Sequence, residues 1–222
     1  MAIAAVVVGS ALNLSAQSTR DLGIGKILVA KRDTRESTFA ETVILIVRYS
    51  HGGTVGLMLN RPSKVPISRA LEPLNGAGGR SDPVFAGGPV ELANVLALLR
   101  SDIMPEGAEH VTGKVYLVPT SELLDKTLSK RPDPTDFRVY LGYAGWGPGQ
   151  LENEISHGVW RVMNASADIV FDPEPETLWS RLIERSEQRI ARVIQAPACA
   201  ANPSITAMFA INSAGKPCRF AR

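Results

Sequence analysis

Short runs of β-branched and other apolar residues, each bounded by turn-forming residues, constrain the fold of this chain more than any other feature. Such runs are typical of strands in a compact mixed domain. They predict strands over residues 26–30, 42–48, 54–60, 114–118, 137–143, 158–163 and 167–171. The second and third runs flank the short link His51-Gly52-Gly53, so they predict a β-hairpin.

Helical patterns are fewer. Residues 177–195 place apolar side chains near one face and Arg and Glu on the other, which is typical of an amphipathic helix. Residues 121–128 predict a second helix, capped by Thr120 or Ser121. Residues 91–99 stay open, because their Leu and Ala content favours a helix while residues 95–99 are short enough for a buried strand. Loops are expected at residues 73–83 and 130–136.

Composition predicts one large domain, because 222 residues with 45% hydrophobic content can bury a sizeable core. We place this domain at residues 22–195, after an N-terminal extension of residues 1–21 and before a C-terminal tail of residues 196–222. Lys and Arg number 24 against 22 Asp and Glu, for a net charge of +2. This balance supplies no general attraction to phosphate backbones, so charge does not support direct nucleic-acid binding.

Both ends of the chain bear on its location. Residues 1–16 are apolar and then small, as in a secretory signal peptide, but they lack a basic beginning. Cys199 and Cys218 both lie in the tail, and an exported protein could pair them in a disulfide. Export with a disulfide and an uncleaved extension with two unrelated cysteines both stay open. No apolar stretch reaches the roughly 18 residues that a bilayer requires, so no transmembrane segment is predicted.

The most unusual local sequence is the segment 142–152, Gly-Tyr-Ala-Gly-Trp-Gly-Pro-Gly-Gln-Leu-Glu. A predicted strand enters this glycine-rich loop, and a short helical stretch over residues 150–155 follows. The glycine spacing fits neither the dinucleotide fingerprint nor the phosphate loop, so no cofactor is predicted. Two interpretations remain: the glycines serve backbone geometry and the packing of Trp146, or the segment lines a groove to which Gln150, Glu152 and Glu154 supply polar groups.

Two shorter motifs indicate turns first. In Asn60-Arg61-Pro62, Asn tolerates turn geometry and Pro cannot continue a strand ladder. The Arg61 guanidinium could also hold a carboxylate or phosphate. The Gly87-Gly88-Pro89 segment likewise indicates a tight turn.

No metal site or covalent catalytic motif is predicted. The three histidines, His51, His110 and His157, share no close spacing and are not paired with cysteines. Neither cysteine lies beside a helix start and a His that would activate it, and the chain has no Gly-x-Ser-x-Gly motif.

Three segments together, 57–62 (Leu-Met-Leu-Asn-Arg-Pro), 85–90 (Phe-Ala-Gly-Gly-Pro-Val) and 142–152, make the chain resemble the AlgH/YqgE family over residues 22–185. The resemblance implies an α+β fold in which a bifurcated, mixed or antiparallel sheet forms a pseudo-barrel with flanking helices. It favours a strand for residues 91–99. It also implies a cytoplasmic location, and it brings the family's label of transcriptional regulator.

This chain departs from the family pattern in three places. The usual Pro is missing from residues 30–33, an Arg-Gly-Phe run is missing after Pro89, and both termini are extended. These departures leave the location and any shared partner open.

The leading hypothesis is a non-enzymatic binding or regulatory domain whose motifs converge on one groove for a small ligand or a protein partner. The groove residues would be Asn60, Arg61, Gly87, Gly88, Tyr143, Trp146, Gln150 and Glu152. The alternative is a hydrolase or other enzyme that uses Glu152 or His157 as general acid or base in a cleft. Direct DNA binding ranks third, because no helix-turn-helix or other recognition element is apparent.

Overall fold

Ten strands and five α-helices make up the part of the chain that the computed structural model describes, residues 22–34 and 38–195. The strands are β1 (Lys26–Ala30), β2 (Val43–Ser50), β3 (Gly53–Met58), β4 (Pro62–Pro66), β5 (Pro83–Ala86), β6 (Val90–Arg100), β7 (Glu109–Thr112), β8 (Val115–Val118), β9 (Phe137–Trp146) and β10 (Trp160–Asn164). The helices are α1 (Ile67–Ala70), α2 (Ser121–Ser129), α3 (Gln150–Ser156), α4 (Ala167–Val170) and α5 (Leu178–Gln195). Short 3-10 turns lie at Asn75–Ala77 and Pro175–Thr177.

Strand β9 is the branch point of the sheet. The main path runs β10-β1-β2-β3-β9-β6-β8-β7, and β6 pairs with one edge of β9. Along the other edge, β5 pairs with β9 in parallel and β3 follows in antiparallel orientation. Strand β4 extends this side branch through β5. The expected α+β class with a bifurcated, mixed sheet is therefore confirmed.

The two ends of the strand order approach each other. A Cβ atom built on Gly25, just before β1, would lie 2.7 Å from the carbonyl oxygen of Val111 in β7. Arg48 of β2 donates from Nε and Nη2 to the two carboxylate oxygens of Glu109 in β7, at 3.1 and 2.8 Å. The sheet thus curls until β7 meets the β1–β2 side, as the expected pseudo-barrel requires.

Burial of apolar side chains divides the interior into two clusters. The larger one includes the apolar residues of β1, β2 and β3 together with Leu151 and Ile155 of α3. The smaller one gathers Leu123, Leu124 and Leu128 of α2 against β8 and β9. Because removal of apolar surface from water is the main driving force of folding, these clusters fix α3 and α2 on the sheet.

The secondary-structure predictions succeed where side-chain patterns dominate. The predicted hairpin is confirmed as the antiparallel pair β2–β3. The open segment 91–99 belongs to strand β6, as the resemblance favoured. The predicted strand 158–163 begins later, at Trp160, because Gly158 adopts φ 72 directly after α3.

One predicted strand, residues 167–171, is wrong: Ala167–Val170 forms helix α4. The β-branched run suggested a strand, but Ser166 Oγ accepts a hydrogen bond from Ile169 N at 3.4 Å and caps a helical turn. Strands β4, β5 and β7 and helix α1 were not predicted. Prolines at both ends of β4 concealed it, since proline is tolerated in a strand only at its ends or at an edge.

The domain boundaries at residues 21 and 195 remain predictions. The apolar residues 1–16 and the proposed Cys199–Cys218 pair lie outside the described residues. Within the described part of the chain, no helix combines the length and apolar character needed to cross a bilayer.

Candidate functional site

The three motif segments predicted to form a groove meet through their backbones beside β9. Gly87 N donates to Leu141 O at 2.8 Å, and Gly87 O accepts from Met58 N at 2.9 Å. Ala86 N donates to Arg61 O at 2.9 Å. The ends of β3 and β5 are therefore joined to the middle of β9.

Glycine is required here because two backbones pass at very short distance. A Cβ atom on Gly88 would lie 2.0 Å from the carbonyl carbon of Tyr143, and one on Gly87 would lie 2.2 Å from Gly142 O. Gly142 has φ 69, and its own Cβ would lie 2.6 Å from Gly88 O. These three glycines allow a backbone approach that no larger residue permits. We call this region, Gly87, Gly88 and Gly142 with the adjoining Trp146 and Glu154, the branch junction.

Asn60 and Arg61 hold the segment that leads into β2. The Asn60 side chain is 3% exposed; its Oδ1 accepts from Val43 N at 2.9 Å and its Nδ2 donates to Glu41 O at 2.9 Å. Arg61 Nη2 donates to Ala40 O at 2.6 Å. Both side chains therefore have structural partners, and neither is brought together with the side chain of Trp146 or Glu152 by these contacts.

Two buried tryptophans share one carboxylate oxygen. Trp146 Nε1 and Trp160 Nε1 both donate to Glu154 Oε2, at 2.9 and 2.8 Å. Their rings meet edge to face, with centroids 6.1 Å apart, and Phe39 stacks on Trp146 at 6.2 Å. Because buried indole N–H groups need acceptors, Glu154 fixes α3 against β9 and β10.

The remaining polar residues predicted for the groove or for catalysis are also engaged. Gln150 Nε2 donates to Glu154 Oε1 at 3.0 Å, and Gln150 Oε1 accepts from Gly147 N at 3.1 Å. Glu152 Oε1 accepts from Tyr49 OH at 2.7 Å, which together with burial raises the pKa of Tyr49. His157 Nδ1 lies 2.8 Å from Asn153 O at the end of α3. Glu152 and His157 thus bind different partners.

A bulge in β6 breaks the ladder beside the branch junction. Val90 pairs with Tyr143 and Val95 pairs with Leu141, so residues 91–94 loop out of the register. Glu91 adopts φ 46, an unfavourable conformation for a residue with a side chain. Leu92 is 67% exposed. Bulges often lie beside functional sites, where they redirect a side chain.

Tyr143 stands next to this bulge. Partial burial raises the pKa of its phenol, and the Glu91 carboxylate raises it further through its charge and a hydrogen bond. Leu92 Cδ2 lies 3.3 Å from the position of a Cβ on the neighbouring Gly142. We call Glu91, Leu92, Asn94 and Tyr143 the bulge surface. Among the residues predicted for the groove, Tyr143 is the one that contacts this bulge, through Glu91, and it also packs against the larger apolar cluster.

Comparison with known proteins relates this chain to one family. A family model described as AlgH-like matches residues 27–191, most of the 222-residue chain. The chain belongs to the AlgH-like family. A UPF0301 protein of Streptomyces avermitilis is 35% identical over 182 residues, covering 78% of this chain and 91% of the relative. A UPF0301 protein of Mycolicibacterium vanbaalenii is 35% identical over 179 residues, covering 78% and 87%.

Two solved structures share the fold. A Corynebacterium diphtheriae protein has a TM-score of 0.65 at 23% identity and covers 77% of this chain and 90% of its own. The AlgH protein of Pseudomonas aeruginosa has a TM-score of 0.60 at 27% identity and covers 78% and 93%. The names of these relatives and structures state no activity, so the family membership establishes the fold and leaves the function to be argued from the site.

A cavity of about 240 Å³ lies between helix α2 and the loop that joins β6 to β7. Its lining comprises Leu99, Pro105, Glu106, Leu123, Lys126, Thr127 and Lys130, and so includes no residue predicted for the groove. In residues 22–34 and 38–195, no group of three or more His, Cys, Asp or Glu side chains is arranged to hold a metal ion.

Sequence reasoning missed three features of this AlgH-like domain. It did not give Glu154 the role of joining two tryptophans, because that contact depends on how α3 packs against β9 and β10. It left residues 91–94 inside a regular element, because a bulge depends on the partner strand. The cavity had one signal, two lysines four residues apart, Lys126 inside the predicted helix 121–128 and Lys130 just after it.

Proposed function

We propose that this AlgH-like chain is a non-enzymatic binding domain that contacts a protein partner through the bulge surface. The observation that carries the proposal is Leu92, a large apolar side chain that is 67% exposed on a bulge in which Glu91 adopts φ 46. An exposed leucine contributes little to folding, and a strained backbone costs about 1–3 kcal/mol. A binding role accounts for both features.

The chemistry of the bulge surface suits a protein partner. Tyrosine and apolar residues are typical of interface centres, where they are desolvated together. Tyr143 supplies a partly buried aromatic ring, and Glu91, whose Oε2 accepts from Asn94 Nδ2 at 3.3 Å, supplies a carboxylate at the edge. A partner with an apolar side chain for Leu92 and a donor or cation for Glu91 would complement this surface.

The family's regulatory label is compatible with this proposal if the chain acts on transcription through another protein. The net charge of +2 gives no general attraction to DNA. We infer an indirect route, in which the bulge surface binds a regulator or a component of its pathway.

The alternative is a hydrolase or other enzyme with Glu152 or His157 as general acid or base. It would require Glu152 to exchange its hydrogen bond with Tyr49 for one with a substrate or water. No contact described above favours this alternative, and it stays a prediction.

Site-specific photo-crosslinking tests the proposal. A photoreactive amino acid placed at Leu92 in the native cells should yield a discrete crosslinked protein, identified by mass spectrometry. The same amino acid at Lys64, an exposed position in β4, is the matched control and should not yield that product. Replacement of Tyr143 by Ala should weaken the Leu92 crosslink.

Two results would decide for the alternative. Leu92 would give no product beyond the Lys64 control, and Glu152→Gln or His157→Ala, although folded, would fail to restore the phenotype of cells that lack the chain. Failure of Leu92→Asp to restore that phenotype, with Glu152→Gln and His157→Ala restoring it, would support the binding domain.

A further inference from the structure

The cavity beside α2 has the size of a side-chain pocket. Its walls are Leu99, Pro105, Leu123 and Thr127, of which Leu123 and Thr127 are buried. The Thr127 hydroxyl already donates to Leu123 O at 2.7 Å. A volume of about 240 Å³ is below the roughly 300–1,000 Å³ of most small-molecule pockets. The cavity therefore suits one or two apolar side chains of a protein better than a whole cofactor.

The exposed rim of this cavity carries an excess of positive charge. Lys126 lies in the last turn of α2 and Lys130 caps its C-terminal end, and both exposed side chains line the cavity. Glu106 is the acidic residue among the lining residues. Within the described part of the chain, neither lysine forms a salt bridge. Positive charge at the C-terminal end of α2 is favourable for the helix macrodipole, and the two ammonium groups, which form no salt bridge in the described part of the chain, can also bind carboxylates of a partner.

The loop next to the cavity presents apolar side chains to water. Ile103 is 80% exposed and Met104 is 50% exposed, and Pro105 follows in the cavity wall. Ser101 Oγ holds the loop by accepting from Ile103 N at 3.2 Å and donating to Ile103 O at 2.7 Å. The exposed side chains thus belong to a hydrogen-bonded turn, and they extend the apolar surface beyond the cavity. Exposed apolar surface of this kind, rimmed by charge, is typical of interaction sites.

We propose that this region, the α2 groove, docks an acidic segment of a partner protein. One large apolar side chain of the segment enters the cavity, and neighbouring carboxylates bind Lys126 and Lys130. Ile103 and Met104 cover the apolar side of the bound segment. The inference goes beyond the bulge surface and does not depend on it, because it rests on different residues and on charge complementarity.

Selection of short random peptides on phage, with the full chain as bait, tests the proposal. The enriched peptides should combine Asp or Glu with a large apolar residue. Synthetic versions should bind at least about tenfold more weakly to the double variant Lys126→Glu, Lys130→Glu, because both carboxylate contacts become repulsive. A second double variant, Lys126→Gln and Lys130→Gln, should also weaken binding and avoids placing acidic residues at the helix end.

Matched controls separate local from global charge. Lys64→Glu with Arg69→Glu changes the net charge by the same amount at exposed residues outside the α2 groove and should leave the affinity unchanged. Glu106→Gln removes the acid on the rim and should tighten binding. Replacement of the apolar residue of the peptide by Ser should weaken binding as much as replacement of its acids by Asn or Gln.

Several results would overturn the inference. These are the absence of enriched peptides, equal binding to the lysine variants and to the Lys64 and Arg69 control, and enriched peptides without acidic residues. Saturable binding of a random-sequence oligonucleotide that is lost in the lysine variants, with no peptide binding, would assign the groove to nucleic acid instead. Crosslinking at Leu92 is measured separately, so failure here leaves the bulge surface testable.

Discussion

The branch junction and the bulge surface lie side by side on β9, yet their residues are used in opposite ways. In the branch junction, Gly88 meets the backbone of Tyr143 without room for a Cβ, and Glu154 accepts from two buried indoles. In the bulge surface, Leu92 is 67% exposed and leaves the strand register. Glycines of the distinctive segments therefore serve the fold, whereas Leu92, in a segment without an unusual sequence, is exposed to solvent.

This contrast separates two meanings of a distinctive motif. A run such as Gly142–Glu152 can be distinctive because few residues satisfy close backbone contacts, and then substitution costs stability. A binding surface can consist of positions at which the fold would tolerate many residues. Substitution there lowers the affinity for the partner and leaves stability unchanged. The variants below measure which cost applies at each site.

The largest effect is expected for Gly88→Ala. The added Cβ would lie 2.0 Å from the carbonyl carbon of Tyr143, so the segment between β5 and β6 must move away from β9. We expect the free energy of unfolding to fall by more than about 4 kcal/mol, beyond the usual range for one substitution. Chemical denaturation measures this, with Gly147→Ala as control. At Gly147 the nearest atom to a new Cβ is 4.0 Å away, so a loss below about 1 kcal/mol is expected. Similar losses in both variants would contradict the close-contact account.

The next effect is expected for Glu154→Ala. Removal of the carboxylate leaves the N–H groups of Trp146 and Trp160 without their acceptor, at about 1–3 kcal/mol for each buried group. We expect a loss of about 2–4 kcal/mol in denaturation and a shift in tryptophan fluorescence. Glu152→Ala, on the same helix, removes one hydrogen bond from the partly exposed Tyr49 and should cost about 1 kcal/mol or less. A larger loss of stability in Glu152→Ala than in Glu154→Ala would assign the structural role to Glu152 instead.

Much of the fold could be predicted because local patterns and tertiary structure agree there. The β2–β3 hairpin follows from two β-branched runs around glycine, and α2 follows from its cap at Thr120, whose side chain accepts from Leu123 N at 3.3 Å. The strand prediction for residues 167–171 was wrong because the helix cap at Ser166 outweighed the strand preference of the β-branched side chains. Strand β5 was not predicted, because its pairing with β9 is long-range and its first residue is Pro83.

The site was harder to predict than the fold. Asn60 and Glu152 are polar residues in a distinctive context, but their partners belong to other segments of the chain, such as Tyr49 for Glu152, about 100 residues away. Exposure of Leu92 depends on where β6 leaves its ladder with β9, which no single-strand pattern contains. Spacing could have suggested Lys126 and Lys130, but not the cavity beneath them.

A smaller effect on stability is expected at Asp172, a buried carboxylate that forms a salt bridge with Arg181. Burial by itself would raise the pKa of Asp172, but hydrogen bonds from Arg181 and from Glu174 N lower it overall. Because the pKa is lower in the folded state, the ionised carboxylate stabilises the fold at pH values above the pKa of the unfolded state. This contribution is lost as the pH falls through the pKa of the folded state. Stability should therefore decrease below about pH 5.

Asp172→Asn should remove that part of the pH dependence. At pH 7 the variant should lose about 1–2 kcal/mol, and nearer the lower value because the Arg181 side chain is 48% exposed. Denaturation of both proteins at neutral and acidic pH measures the difference. Equal acid sensitivity in the variant would show that other carboxylates control it.

The smallest effect on stability is expected for Leu92→Ser, and it is the most direct test of the contrast between the two regions. Because Leu92 is 67% exposed, its loss removes little buried surface, and the free energy of unfolding should change by less than about 0.5 kcal/mol. Leu96→Ser is the matched control in the same strand, since Leu96 is 4% exposed and its replacement should cost about 3 kcal/mol. A large loss of unfolding free energy in Leu92→Ser would mean that Leu92 packs within the fold, and it would contradict the assignment of the bulge surface as a binding site. An unchanged stability combined with a lost Leu92-dependent partner would place the function on residues that folding does not require.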